Sequence, residues 1–186
     1  GDVTVESLVV MFKKVRFETR ESIGYENVDL PTRELPTHAF WVIPPAPARK
    51  AVKAHGRVVE EGMVGIANVM REVIPSFVMC DASDIGAVVD SANLGASAIF
   101  IYDRYEHGIG FAERAYGMVE EIMQRCHAVI TDCPCHQGCP SCVGSATPAR
   151  AAGPLESSTR ERLPDKETAL ILLHGMLEFT PYEPKY

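Results

Sequence analysis

Residues 7–17 are rich in Val and Phe and carry a basic stretch at Lys13, Lys14 and Arg16, a pattern that predicts a strand. Turn chemistry at Gly24, Asn27 and Pro31 follows. A second strand is expected over 38–43, ended by Pro44, Pro45 and Pro47. Over 50–74, apolar residues recur at helical period: Val52, Val59, Met63, Ile66, Ala67, Met70 and Ile74. Gly56, Gly62 and Gly65 weaken that helix and can split it. Pro75 is expected to stop it, with 77–80 a short strand; 84–90 fits either strand or loop.

The apolar run at 98–102 has the look of a buried central strand. A glycine-containing loop then opens an amphipathic helix over about 109–130, with Phe111, Ala115, Met118, Ile122, Cys126 and Val129 on one face. Glu113, Gly117, Glu120, Glu121 and Gln124 take the other face. The stretch 145–163 is rich in Ala, Ser, Arg and Pro without a period and reads as a flexible loop. Asp165 is a candidate N-cap for a last helix through Leu170, Leu173 and Leu177. There is no internal repeat. These elements predict a single domain over 1–186, α/β or α+β, with a small mixed sheet packed by helices.

Composition narrows the picture. With 186 residues, 46% hydrophobic and 23% charged, the chain is expected to be a soluble globular domain with a sizeable core. No apolar run reaches the roughly 20 residues a bilayer-crossing helix needs. The opening residues lack the pattern of a signal peptide, and the chain, which does not start at Met, reads as an excised domain. Its 18 basic and 25 acidic side chains leave a formal net charge of −7. Such a domain is a poor nonspecific phosphate binder, so any nucleic-acid contact must come from a local patch or a neighbouring domain.

Chemistry concentrates in one segment. Four of the six cysteines, Cys133, Cys135, Cys139 and Cys142, fall within ten residues. Pro and Gly around them let the backbone curl so that amide hydrogens point at the sulfurs and the side chains converge on one ion. Four thiolates suit tetrahedral Zn²⁺; an iron–sulfur cluster and disulfides are the rival readings. A four-thiolate zinc site has no open position for water and is structural, not catalytic. His136 could replace one thiolate but need not, and Cys80 and Cys126 read as small core residues.

Other signals are weaker. The loop 103–110 joins a buried strand to a helix start, the geometry of an anion site or of an ordinary β–α turn. Arg104 in that loop could reach a DNA phosphate. Lys13, Lys14 and Arg16, with Arg20, form the best basic cluster, although strand alternation keeps Lys13 and Lys14 off a common face. Trp41 and Phe40 read as core residues. His38, His55, His107, His127 and His174 show no spacing of a metal site or triad. No phosphate-cradling loop, nucleophile elbow or paired-carboxylate motif is present, so no catalytic residue is assigned.

The run CDASDIG from Cys80, then AIFIYDRYEHGIGFAERAY from Ala98, then CPCHQGCPSCVG from Cys133, resembles the C-terminal zinc-binding domain of MrfA-type helicases, bacterial relatives of mitomycin repair factor A with fungal Hrq-type cousins. The stretch IGYENVDLPTRELPTHAFWV from Ile23 and the closing PLESSTRERLPDKETALILLHGML are similar to that domain as well. Where the family loop usually reads glycine-glycine before its helix, this chain has His107 at the first of those positions.

The resemblance implies that Cys133, Cys135, Cys139 and Cys142 hold structural Zn²⁺ in an accessory domain of an ATP-dependent DNA helicase of superfamily two, acting in DNA repair in the cytoplasm. Its partners would be helicase motor domains in cis and DNA, expected to be single-stranded, with no membrane. ATP and Mg²⁺ would belong to the motor domains, whose motifs this chain lacks. The alternative from another class is an interaction or scaffold module of a phage-defence complex.

Overall fold

A four-stranded antiparallel sheet, ordered β1-β4-β6-β5, forms one wall of the molecule; its strands are β1 (Asp2–Ser7), β4 (Arg33–Val42), β5 (Ile85–Asp90) and β6 (Ala98–Asp103). β2 (Met11–Val15) and β3 (Ser22–Asn27) make a separate two-stranded ribbon. The helices are α1 (Ala46–Ala54), α2 (Val59–Val78), α3 (Phe111–Tyr116), α4 (Val119–Asp132) and α5 (Lys166–Met176). A two-residue pair, β7 (Thr147–Pro148) with β8 (Glu161–Arg162), lies before α5. This computed structural model describes residues 1–145, 147–148, 161–162 and 164–185. The loop expected over about 145–164 falls largely outside those residues.

Every pairing among the described strands is antiparallel rather than mixed, which selects α+β from the two expected classes. Cross-strand rows Phe40–Ile101–Ala87 and Val42–Ile99–Val89 form the inner face of the sheet. They pack on α2, whose Met63, Ile66, Met70 and Ile74 are fully buried because α4 and α5 cover its other sides. The outer face keeps the row Trp41–Phe100–Val88, so Trp41, read as core from the sequence, is 40% exposed, while Phe40 is buried as expected.

Four further expectations are corrected by the structure. The single strand over 7–17 is two: the β1 ladder ends at Ser7↔Arg33, where β4 begins, and β2 pairs with β3 instead. The strand over 38–43 starts earlier, at Arg33, because β1 pairs along its first half. Pro75 does not stop α2. It lies in the last turn, where its missing N–H forfeits a single bond, while Ser76 Oγ donates to the Val73 carbonyl at 2.7 Å and Val78 stays buried. Left-handed Met79 (φ 57°) closes the helix by donating to the Pro75 carbonyl at 2.9 Å, so 77–80 is no strand.

The fourth correction concerns the helix expected over 109–130, which breaks at Gly117–Met118 into α3 and α4. Gly117 costs little to take out of a helix, and the break lets each piece bury a different face. Ala112 and Ala115 turn toward the sheet; Ile122, Cys126 and Ile130 turn toward α2. Gly56 (φ 69°) separates α1 from α2, as its position suggested.

Gly62 lets α2 and α5 touch. A Cβ there would sit 2.5 Å from Thr168 Cγ2 and 2.8 Å from the Thr168 carbonyl carbon. Alanine gains up to about 1 kcal/mol in helix propensity. Overpacking against a backbone atom costs about 1–3 kcal/mol and wins. Gly62→Ala should therefore lower the thermal midpoint by a few degrees; a midpoint at or above that of the parent would contradict this packing.

Candidate metal centre

The four clustered cysteines meet as their spacing suggested. α4 ends at Asp132, and Cys133 leaves it in extended conformation (φ −71°, ψ 128°), which breaks the helix at the first ligand. Gly138 takes φ 115°, and a Cβ there would lie 2.7 Å from Val143 Cγ2, so the loop closes only with glycine at that position. The following turn is tied by Cys142 N–H and Val143 N–H, both donating to the Cys139 carbonyl at 3.0 and 3.1 Å. Val143 is buried against Gly65 of α2, and Asn68 Nδ2 donates to the Val143 carbonyl at 3.0 Å.

The donor set fits zinc. An ion bound about 2.3 Å from each of four sulfurs in a tetrahedron needs them about 3.8 Å apart. The Sγ separations are 3.5 Å for Cys133–Cys135, 3.6 Å for Cys133–Cys139, 3.4 Å for Cys135–Cys142 and 3.7 Å for Cys139–Cys142. All four lie within 4.8 Å of one another, which leaves no room for a cluster of several irons. They are also far beyond a disulfide bond length of about 2.05 Å; each of the six cysteines is free. His136 is not part of the group.

The thiols respond to their surroundings in opposite directions. The Ser141 backbone amide, and after it the Cys133 thiol, hold Cys139 down to about 7. Burial pushes Cys135 and Cys142 up, so their thiolates need a cation to persist. Cys139 N–H reaches Cys142 Sγ at 3.4 Å, one of the amide–sulfur contacts that the Pro- and Gly-rich turn implied. Lys166 Nζ, at the start of α5, donates to the carbonyl oxygens of Cys133 and Cys135 at 2.7 and 2.9 Å. The sequence reading missed this lysine, because nothing local marks a residue 24 positions beyond Cys142.

The other cysteines do not join the group. Cys126 is buried under α2, and burial pushes its thiol up to about 12, where it is inert. Cys80 follows the end of α2, and desolvation raises its thiol too.

The loop 103–110 is an ordinary turn whose amides are already occupied. Asp103 Oδ2 accepts from the N–H groups of Ile109, Gly110 and Phe111 at 2.7, 2.9 and 3.2 Å, and Oδ1 accepts from Ala112 at 2.7 Å. An external anion would have to displace this carboxylate. His107 takes φ 62° and donates its amide to the Pro36 carbonyl at 2.7 Å. The close approach in this loop belongs to Gly108, where a Cβ would lie 3.0 Å from that of His38.

The basic residues are scattered. Lys13, Lys14 and Arg16 lie on or beside the exposed ribbon, and Arg104 directly follows the end of β6, an inner strand of the four-stranded sheet. Lys14 pairs with Glu26 and lies over the Phe12 ring, 5.9 Å from its centroid. Lys13 stands directly across from Tyr25 on the opposite face.

One contact had no sequence signal at all. His127 and His174, 47 positions apart, meet with Nε2 atoms 3.0 Å apart. His174 Nδ1 faces the Thr180 carbonyl at 2.7 Å and carries a proton there, so with both rings neutral His127 Nε2 is the donor of the pair. Burial, and then the neighbouring His174, hold the His127 imidazole below the usual range.

Comparisons with known proteins agree with this geometry. Residues 66–143 match the family described as the MrfA Zn-binding domain. The chain is 39% identical over 148 residues to an uncharacterized ATP-dependent helicase, YprA, of Bacillus subtilis (strain 168), covering 78% of this chain and 19% of that protein. It is 33% identical over 79 residues to an uncharacterized protein of Methanocaldococcus jannaschii, covering 40% of this chain and 70% of that one. Among solved structures it matches the DUF1998 helicase MrfA bound to DNA, with TM-score 0.61, 35% identity and coverage of 95% of this chain and 22% of that one. MrfA bound to DNA and AMPPNP matches with TM-score 0.59, 34% identity and coverage of 92% and 20%. The chain thus spans about a fifth of the length of the helicases it resembles. With four sulfurs at zinc-binding distance inside the matched segment, the chain belongs to the family of MrfA Zn-binding domains.

Proposed function

We propose that this chain is the zinc-binding accessory domain of an ATP-dependent DNA helicase acting in DNA repair. The observation that carries this reading is the match of 95% of the chain to one part of a helicase crystallised with DNA. The domain stabilises the enzyme and helps guide single-stranded DNA away from motor domains in cis, and those motors hold the ATP and Mg²⁺. A DNA-acting helicase of this kind works in the cytoplasm. Among the described residues no helix is long and apolar enough to cross a membrane. No feature of the site favours the scaffold alternative.

DNA contact falls to Lys13, Lys14, Arg16 and Arg104, of which Lys13 is the best placed. Lys14 is engaged by Glu26, and Arg16 lies 4.0 Å from Glu21. Lys13 has an exposed aromatic ring opposite it, Tyr25 at 67% exposure, and Phe17 at the ribbon tip is 98% exposed. Among the described residues Lys13 has no ion-pair partner, and a cation beside open aromatic faces is the chemistry that takes a single strand, with phosphate on the one and bases stacked on the other.

The test is single-strand binding by the full-length helicase across a salt series. Lys13→Ala should weaken binding severalfold and reduce the salt slope by about one. Lys14→Ala should change binding less, because part of its charge is already spent on Glu26. Binding untouched by removal of residues 11–27 would refute the ribbon as a DNA contact. A full-length protein that neither turns over ATP with DNA nor unwinds a duplex would refute the helicase reading itself.

A further inference from the structure

The first turn of α5 buries three consecutive polar side chains, Lys166, Glu167 and Thr168. Lys166 is 6% exposed. A lysine so deeply buried is costly unless its ammonium is both hydrogen-bonded and electrostatically compensated. Its hydrogen bonds go to the Cys133 and Cys135 carbonyls, and Cys135 Sγ lies 4.0 Å from Nζ. Its own amide donates to the Gln137 carbonyl at 3.2 Å. Among the described residues no carboxylate lies within ion-pair distance of it. The anion available to compensate it is the cysteine cluster, because four thiolates around one divalent ion keep a net charge of −2.

We propose that Lys166 is a positioning residue of the zinc site, holding the Cys133 and Cys135 carbonyls and offsetting the residual charge of the four thiolates. It makes the metal loop and α5 one unit. Asp165, just before it, accepts from Arg57 Nη1 at 2.8 and 2.9 Å and caps the helix through Thr168 N–H at 2.7 Å. The turn that holds the zinc loop is therefore itself anchored to the α1–α2 connection. The order of the cysteines alone gives no hint of this, since the countercharge arrives from a helix that begins 24 positions beyond Cys142.

The test uses the zinc-loaded chain with Lys166→Met, Lys166→Gln and Lys166→Arg. Zinc affinity is read by competition with a chromogenic chelator. The same proteins are loaded with Co²⁺ and their sulfur-to-cobalt charge-transfer band recorded. Loss of a residue that orients metal ligands weakens metal affinity about 10–100-fold, and Lys166→Met should fall in that range. Removing the cation raises the energy of the sulfur electrons, so the cobalt band should move to longer wavelength; Lys166→Arg should recover most of both effects. A Lys166→Met protein that keeps its zinc affinity and its cobalt band overturns the proposal. A lowered melting temperature with both readouts unchanged also overturns it, since a merely structural contact would do that. If Lys166→Met yields no soluble protein, Lys166→Gln decides: it retains N–H donors but no charge. Parental affinity and band position in that variant overturn the electrostatic role, and weaker zinc binding with a red-shifted band supports it.

Discussion

Cys142→Ser should lose stoichiometric zinc and a large part of the stability of the domain. Between Cys133 and Gly144 the only aliphatic side chain is Val143, so the loop has almost no apolar burial of its own to hold it. Structural zinc sites supply on the order of 10 kcal/mol of folding free energy. That is comparable with the whole stability margin of a typical domain, about 5–15 kcal/mol. A ligand change that weakens zinc a thousandfold removes about 4 kcal/mol of this by mass action. For a domain of this size the midpoint should then fall by roughly 8–16 °C. Cys142 is the most informative of the four because it is buried and its neighbour Val143 packs on α2, so its loss reaches the core.

The controls are the two cysteines outside the cluster. Cys126→Ala leaves only a small gap beneath α2 and should cost about 1 kcal/mol, and Cys80→Ser less still. The measurement is a thermal melt of each variant with bound zinc quantified in parallel. Soluble yield and midpoint should drop together for Cys139→Ser and Cys142→Ser, with zinc lost in both. If Cys142→Ser melted with the parent while the full-length protein lost the unwinding proposed for it, the site would act directly in function and its structural role would be refuted.

What could be read from the sequence follows how far apart the interacting residues lie. The ligand set was legible because all four thiols sit in one short segment whose Pro and Gly positions dictate the turn. The Asp165 cap was legible for the same reason: its side chain bonds the amide three residues on. The strand at 98–102 announced itself as an uninterrupted apolar run, and it is central in the sheet. Boundaries set by tertiary partners were not legible. Nothing in residues 7–17 says that the β1 ladder must end at Ser7, because that limit is set by where β4 begins. Pro75 looked like a stop because its local cost is real; burial of Val78 one turn later outweighs it. Likewise the helix over 109–130 has one good apolar stripe on paper, yet the sheet and α2 lie in different directions, and the chain bends at Gly117 to reach both. Lys166, and the meeting of His127 with His174, are visible only once distant segments are packed.

The second large effect, at Asp103, was not legible although its partners lie only 6 to 9 positions on, because the loop must fold back before the carboxylate meets their amides. The residue ends β6 and is 0% exposed, and its two carboxylate oxygens take the four amides of Ile109, Gly110, Phe111 and Ala112. Those amides open α3, which has no other side-chain cap. Its backbone carbonyl accepts the buried Thr37 hydroxyl at 2.8 Å, so the residue also links β6 to β4. Hydrogen bonds to a charged group are each worth about 1.5–3 kcal/mol, and an unpaired buried donor costs about 1–3 kcal/mol. Some of the four amides can find water after truncation, but the Ala112 amide is buried and cannot. Asp103→Ala should therefore cost about 3–5 kcal/mol, near the upper end of single-residue effects. Asp103→Asn should cost less, about 2–4 kcal/mol: one oxygen still accepts, while the amide nitrogen turns a donor toward donors. Zinc content should be unchanged in both variants, because the cysteine loop hangs from α4 and α5 rather than from this turn. Thermal melts with parallel zinc analysis separate the two devices. A midpoint for Asp103→Ala within about 2 °C of the parent would mean that the turn holds itself without the carboxylate.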